Sequence, residues 1–291
     1  MTPQIVSKTR NVLGESPAWS AREQALYWVD IPAKRLHRLN WNSKLEQSWL
    51  LPELVSAVVP RASGGVVLAL EKRVVVFDID SEQLETLCSP DSNPDNRSND
   101  ARCDALGRLW LGTMQNNLGS NGEGKDITQR SGSLYRIQAD GGVLEMLTGV
   151  GISNGLAWSP DSTIMYFADS LENHMAAFDF DLELGTISNK RRFSSFDRGV
   201  PDGSSVDSEG FLWNARWGGS CLVRFSPDGQ VDRVLELPVT QPSSCTFGGE
   251  NLELLFVTSA SLGLSQNNSL EGAILALDVG ARGCSSPTFA G

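Results

Sequence analysis

Residues Ile152–Asp169 read I-S-N-G-L-A-W-S-P-D-S-T-I-M-Y-F-A-D. A polar side chain, Asn154, stands four residues before Trp158. A Ser-Pro-Asp-Ser turn follows, then a run of branched and aromatic residues that reads as a strand. The same phrase recurs along the chain. Glu15 stands four residues before Trp19, Asn99 before Cys103 and Asp202 before Val206, each ahead of a turn and an apolar run.

Working outward, six such runs appear: LYWVD from Leu26, VVLAL from Val66, LWLGT from Leu109, IMYFAD from Ile164, FLWNAR from Phe211 and LLFVTS from Leu254. They are 40, 43, 55, 47 and 43 residues apart. Each follows a turn (SAREQ, ASGG, DALG, SPDS, DSEG, FGGEN) and precedes a further strand (RLHRL, VVVFD, SLYRI, MAAFDF, CLVRF, AILALD). No window offers a long amphipathic helix. Short strands at this period predict an all-β fold, a six-bladed β-propeller that takes in residues 1–291 as one domain, with residues 3–10 pairing with the last blade.

In a propeller the first strand of each blade lines the channel. Glu15, Asn99, Asn154 and Asp202 then ring one end of it, with Val55 and Ser243 at the matching positions of repeats two and six. The connections after the second strands wall the same mouth. The longest, Met114–Ser131, is rich in Gly and Asn and is expected to be a lid.

Two carboxylates and amide oxygens aimed at one axis suit a hard divalent cation: Ca²⁺ first, with Mg²⁺ and Mn²⁺ of the same hardness, and Zn²⁺ or Fe²⁺ also compatible. The alternative is that these residues only make turn hydrogen bonds. Arg97, two residues before Asn99, either leans over the mouth towards an oxygen-rich ligand or pairs with Asp95 or Asp100 on the surface. Gly203 after Asp202 lets the backbone pass close to a ligand or simply makes a turn. Trp217 is a stacking wall or rim packing. His37 is expected at the surface, and His174 at the mouth.

The 291 residues are 40 % hydrophobic and 20 % charged, enough for a sizeable core. A net charge of −11 argues against nucleic acid and anionic membranes as partners. No apolar stretch reaches a membrane span and the N-terminus lacks a signal-like run, so a cytoplasmic protein, monomeric or a small homo-oligomer, is expected. Five cysteines with no C-x-x-C fit reduced thiols. Two histidines, with no H-E-x-x-H and no G-x-S-x-G, turn attention away from three-His zinc and serine-hydrolase chemistry.

The ordered set L-G-E-S-P-A-W (Leu13–Trp19), R-S-N-D (Arg97–Asp100), L-W-L-G-T-M (Leu109–Met114), I-S-N-G-L-A-W-S-P-D (Ile152–Asp161), P-D-G (Pro201–Gly203) and L-W-N-A-R-W-G-G (Leu212–Gly219) resembles the gluconolactonase/regucalcin (senescence marker protein) family. The likeness runs from about Val12 to Ala260. It implies a six-bladed propeller that hydrolyses a sugar lactone to its aldonic acid. It implies one divalent metal held by Glu15, Asn154 and Asp202, with Arg97 and Asn99 facing the substrate and Asn99 close to the metal. Asp202 and Asn99 are then the expected catalytic groups. Ser16 stands where many members have Gly, a departure expected to matter little. The other readings are a non-catalytic metal-binding regulatory propeller and an arylesterase- or phosphotriesterase-like propeller hydrolase. The polar lid favours a polyol substrate over the last.

Overall fold

The computed structural model describes residues 3–119, 121–265 and 267–291. They form six four-stranded antiparallel sheets arranged as the blades of a β-propeller. The inner strands are Gly14–Ser20, Val55–Pro60, Asn96–Cys103, Ser153–Trp158, Val200–Val206 and Gln241–Gly248. Each touches the inner strand on either side, so they close into a ring. The second strands are Ala25–Asp30, Val66–Leu70, Leu109–Gln115, Ile164–Asp169, Leu212–Trp217 and Leu254–Ala260, within a residue of the predicted starts.

The apolar second strands have a packing reason. Six hydrophobic clusters lie one between each pair of neighbouring blades. A blade is therefore covered on both faces, and its middle strands read as nearly continuous apolar runs instead of alternating. This corrects one expectation. His37 is 3 % exposed, in the third strand Arg35–Asn40 of blade one, with its ring stacked on Trp28 at 5.0 Å. A third strand also lies between two blades, so its alternate side chains face a neighbour and not solvent.

Turns on the face away from the mouth use one device twice. In blade three Asp104 accepts from Trp110 Nε1 (2.8 Å) and Arg108 Nε (2.7 Å). In blade five Asp207 accepts from Trp213 Nε1 (2.9 Å) and Arg224 Nη2 (2.7 Å). A carboxylate buried with a paired guanidinium and an indole keeps its charge satisfied.

The ring closes as expected at the N-terminus, where Gln4–Ile5 pairs with Leu275–Asp278 as the outermost strand of blade six. The C-terminal segment was not anticipated. It leaves blade six, bridges Asp207 through Gly283, crosses the far end of the channel, and pairs Phe289 with Arg61 of blade two. Ala290 N then donates to Gly107 O of blade three.

Candidate active site

Every inner strand carries a bulge, and the candidate donors flank or occupy it. Glu15 pairs with Val29 and Asn154 with Ala168, each the last regular pair before the bulge. Asn99 and Asp202 fall inside the bulge, after the pairs Ser98–Thr113 and Pro201–Arg216. The four are thus not one repeat position sampled four times. Blades one and four share one arrangement, and blades three and five another. A bulge twists the strand locally and re-aims a side chain, so both phases serve to turn polar groups towards the channel.

The first arrangement is set from the second strand. Asp30 accepts from Val12 N (2.9 Å) and Leu13 N (3.2 Å), and Asp169 from Gly151 N (2.7 Å) and Ile152 N (3.0 Å). These bonds fix the backbone just before Glu15 and Asn154. The following residue is left-handed in both blades, Ser16 at φ 50° and Gly155 at φ 69°. Ser16 thus takes the backbone conformation that Gly155 takes in blade four. It holds a conformation that favours glycine, while its Oγ accepts from Val58 N at 3.0 Å across to blade two. Its own N–H donates to Glu15 Oε2 at 3.1 Å.

In the second arrangement, Asn214 Nδ2 donates to Asp202 O (2.7 Å), and Arg216 donates to Asn214 Oδ1 (3.3 Å). The W-N-A-R-W motif thus supports the backbone behind Asp202. Gly203 is required by packing. A Cβ there would meet Ser244 Cβ at 2.4 Å and its Cα at 2.8 Å, so the close approach is to blade six. Gly112 likewise leaves room for Ser153, beside Asn154.

Three of the predicted residues touch. Arg97 Nη1 donates to Asn99 Oδ1 (2.8 Å), and Asn99 Nδ2 donates to Asn154 Oδ1 (3.0 Å) and Ser153 O (2.9 Å). Asn154 Nδ2 donates to Ser170 Oγ (2.9 Å). Arg97 is 3 % exposed, and Asn117 Oδ1 accepts from its Nε (3.2 Å) and Nη2 (2.9 Å). Among the described residues it makes no ion pair, so it is held by amides at the mouth and not by Asp95 or Asp100.

Glu15 and Asp202 are joined to this group through their charges. Burial, and then the Asp100 charge, raise the Glu15 carboxyl above its ordinary range. Burial raises Asp202 as well, with Glu15 next and Asp100 third. Arg97, lowered to about 10 by burial, and Arg102 offset part of this repulsion on Glu15. Apart from the Ser16 N–H on Glu15 and the Gly203 N–H on Asp202, the two carboxylates have no close donor among the described residues. Anionic groups so placed gain most from a cation between them.

Blades two and six add nothing to the set. Val55 is packed into the cluster between blades one and two, and the Ser243 hydroxyl is turned outward to Gly14 O and Thr258 Oγ1. Among the described residues no three His, Cys, Asp or Glu side chains gather around one point. Asn99 and Asn154 meet through their amides and Asp202 feels the charge of Glu15, and oxygen donors of these kinds suit a hard divalent ion.

Around the rim, Trp217 packs against the apolar cluster that contains Ile31 and the lid residue Leu118. His174 Nδ1 contacts Glu172 O at 3.0 Å. The sequence reading missed Asp100, Asn117 and Ser170. Asp100 escaped because only one residue was taken per repeat, whereas a bulge places two in succession. Ser170 belongs to a short 3₁₀ turn, Ser170–Glu172, that has no counterpart in the other blades among the described residues.

The model of the SMP-30/gluconolactonase/LRE-like region matches residues 13–261. A 6-deoxy-6-sulfogluconolactonase of Pseudomonas putida is 37 % identical over 100 % of this chain and 99 % of its own. Regucalcin of Sus scrofa is 37 % identical over 89 % of this chain and 86 % of its own. The crystal structure of a calcium-binding regucalcin from Agrobacterium tumefaciens superposes with a TM-score of 0.92 at 28 % identity, covering 99 % of this chain and 97 % of that one. With the family model matched over residues 13–261 and a relative 37 % identical along the whole chain, the chain belongs to the SMP-30/gluconolactonase/LRE-like family.

Proposed function

We propose that this protein hydrolyses a sugar lactone to its aldonic acid with the help of one divalent cation held by Glu15, Asn154 and Asp202. The observation that carries this reading is a donor set drawn from four blades: the Asn99 and Asn154 amides in contact, and the buried Asp202 carboxyl, raised in part by the charge of Glu15. The calcium-binding relative points to the same kind of ion.

When bound, a divalent cation supplies Lewis-acid polarisation of the lactone carbonyl and lowers the cost of charge on its oxygen. The chain's own groups do the rest. The Arg97 fork, fixed by Asn99 and Asn117, presents its remaining donor capacity to lactone oxygens. Asn99 shares its amide oxygen with that contact and orients the ring. Asp202 accepts the proton of the attacking water. The water oxygen bonds to the carbonyl carbon, the ring C–O bond breaks, and the proton passes to the departing alkoxide, which gives the hydroxy acid.

The test is acid release from a panel of aldonolactones, using metal-stripped protein with single cations restored. We expect cation-dependent turnover of at least one lactone. Asp202→Ala is expected to lose metal binding and at least 100-fold in rate together, since several kcal/mol of charge stabilisation go with it. Full activity in Asp202→Ala overturns the assignment. Folded, metal-loaded protein that accelerates no lactone leaves a binding propeller instead.

A further inference from the structure

The hydrogen bonds of the site run in one direction. Pro201 O can only accept, and Ser170 Oγ donates to it at 2.7 Å. The single Ser170 proton is thereby committed, so the hydroxyl offers Asn154 a lone pair. The group of Asn154 that faces Ser170 must then be its NH₂, at 2.9 Å. Its oxygen faces the other way, where it accepts from Asn99 Nδ2 and keeps a second lone pair. Ser170 is 4 % exposed and held on both sides, its N–H donating to Ile152 O at 3.0 Å. No other described group contacts the Asn154 NH₂.

We propose that Ser170 is a positioning residue that sets the polarity of the Asn154 amide, so that its oxygen and not its NH₂ is presented to a cation on the channel axis. This rests on the reading of Asn154 as a metal donor. Without the hydroxyl, the Asn154 NH₂ loses its acceptor and only the Asn99 Nδ2 bond, itself oriented by Arg97, still holds the amide oxygen in place, so the amide turns its NH₂ towards the axis more often and there repels a cation. Ser170 also joins blade four to the Pro201 carbonyl beside Asp202, so one side chain aligns donors from two blades. Partners that orient metal-binding side chains are worth about 10–100-fold in affinity.

The test is calorimetric titration of the metal-stripped, full-length protein with Ca²⁺ and with Mn²⁺. Ser170→Ala is expected to weaken binding about tenfold, and Ser170→Thr, which keeps the hydroxyl, to stay within about twofold of the parent. In an Asn154→Ala background, Ser170→Ala should add less than about twofold, because the amide it orients is gone. Weakened binding in Asn154→Ala but parental binding in Ser170→Ala overturns this inference and leaves the donor assignment standing. Parental binding in both overturns the donor assignment and this inference with it. An equal tenfold loss from Ser170→Ala in both backgrounds also overturns it, since the serine then acts through general structure. Should Ser170→Ala not fold, Ser170→Cys takes its place. Its poorly accepting thiol should weaken binding, and parental affinity overturns the proposal.

Discussion

His37 stacks flat on Trp28, and neither ring nitrogen has a hydrogen-bond partner among the described residues. Burial drives its pKa down to about 4 against a smaller upward pull from Glu46, so the ring is neutral in the folded chain. Unfolded, it takes up a proton near pH 6.5. Between these values the unfolded state binds more protons, so the contribution is complete above pH 6.5 and is lost as pH falls towards 4. A shift of this size is worth roughly 3 kcal/mol. Urea unfolding at pH 7 and pH 4.5 should show a smaller acid loss in His37→Phe than in the parent; equal losses would refute this. At this scale the sequence was informative about residues whose chemistry is unusual in a turn, such as Glu15. It said little about Ser170, a common residue whose value lies in one proton and the carbonyl that takes it.

The connection between Leu109–Gln115 and Gly132–Ile137, expected to be a lid, is the element that departs most from the repeat. It is polar in composition, yet it is fastened at defined points. Leu118 is 5 % exposed in the cluster with Leu13, Ile31 and Ala260, and it bridges Gly124 within the loop. Asn116 N donates to Asp95 O (2.7 Å), and Arg130 pairs with Asp169 (2.5 Å) and Glu172 (2.9 Å) of blade four. Between these ties stands Asn117, which holds Arg97. We expect Leu118→Ser to release the apex, at a local cost of about 1.5–3 kcal/mol, and to raise KM severalfold for the substrate that the panel identifies, with kcat changed less. Unchanged KM would show that the apex plays no part in holding the substrate. The connection was legible as a long polar loop. Its anchor was not, because one leucine carries no periodicity.

The blades as a whole were legible because each repeat must bury two faces, which leaves an apolar run every 40–55 residues. The C-terminal strap was not, since Gly283–Gly291 is a single extended pass with no pattern to repeat. Phe289 is fully buried between blades two and three, among Val59, Leu109 and Ile137. Phe289→Ala should cost about 3–5 kcal/mol in denaturant unfolding while leaving lactone turnover unchanged at low temperature. A loss below about 1 kcal/mol would mean that the strap is ornamental to the ring. The strap also decides how the molecule can be attached to anything else. Gly291 O accepts from Arg61 Nε at 2.8 Å, beside a turn on the face opposite the mouth, and the Gln4–Ile5 strand rises from that same face. A tag, carrier protein or solid support joined at Gly291 therefore hangs beneath the propeller. Immobilised or fused molecules will present their mouths outward and unobstructed.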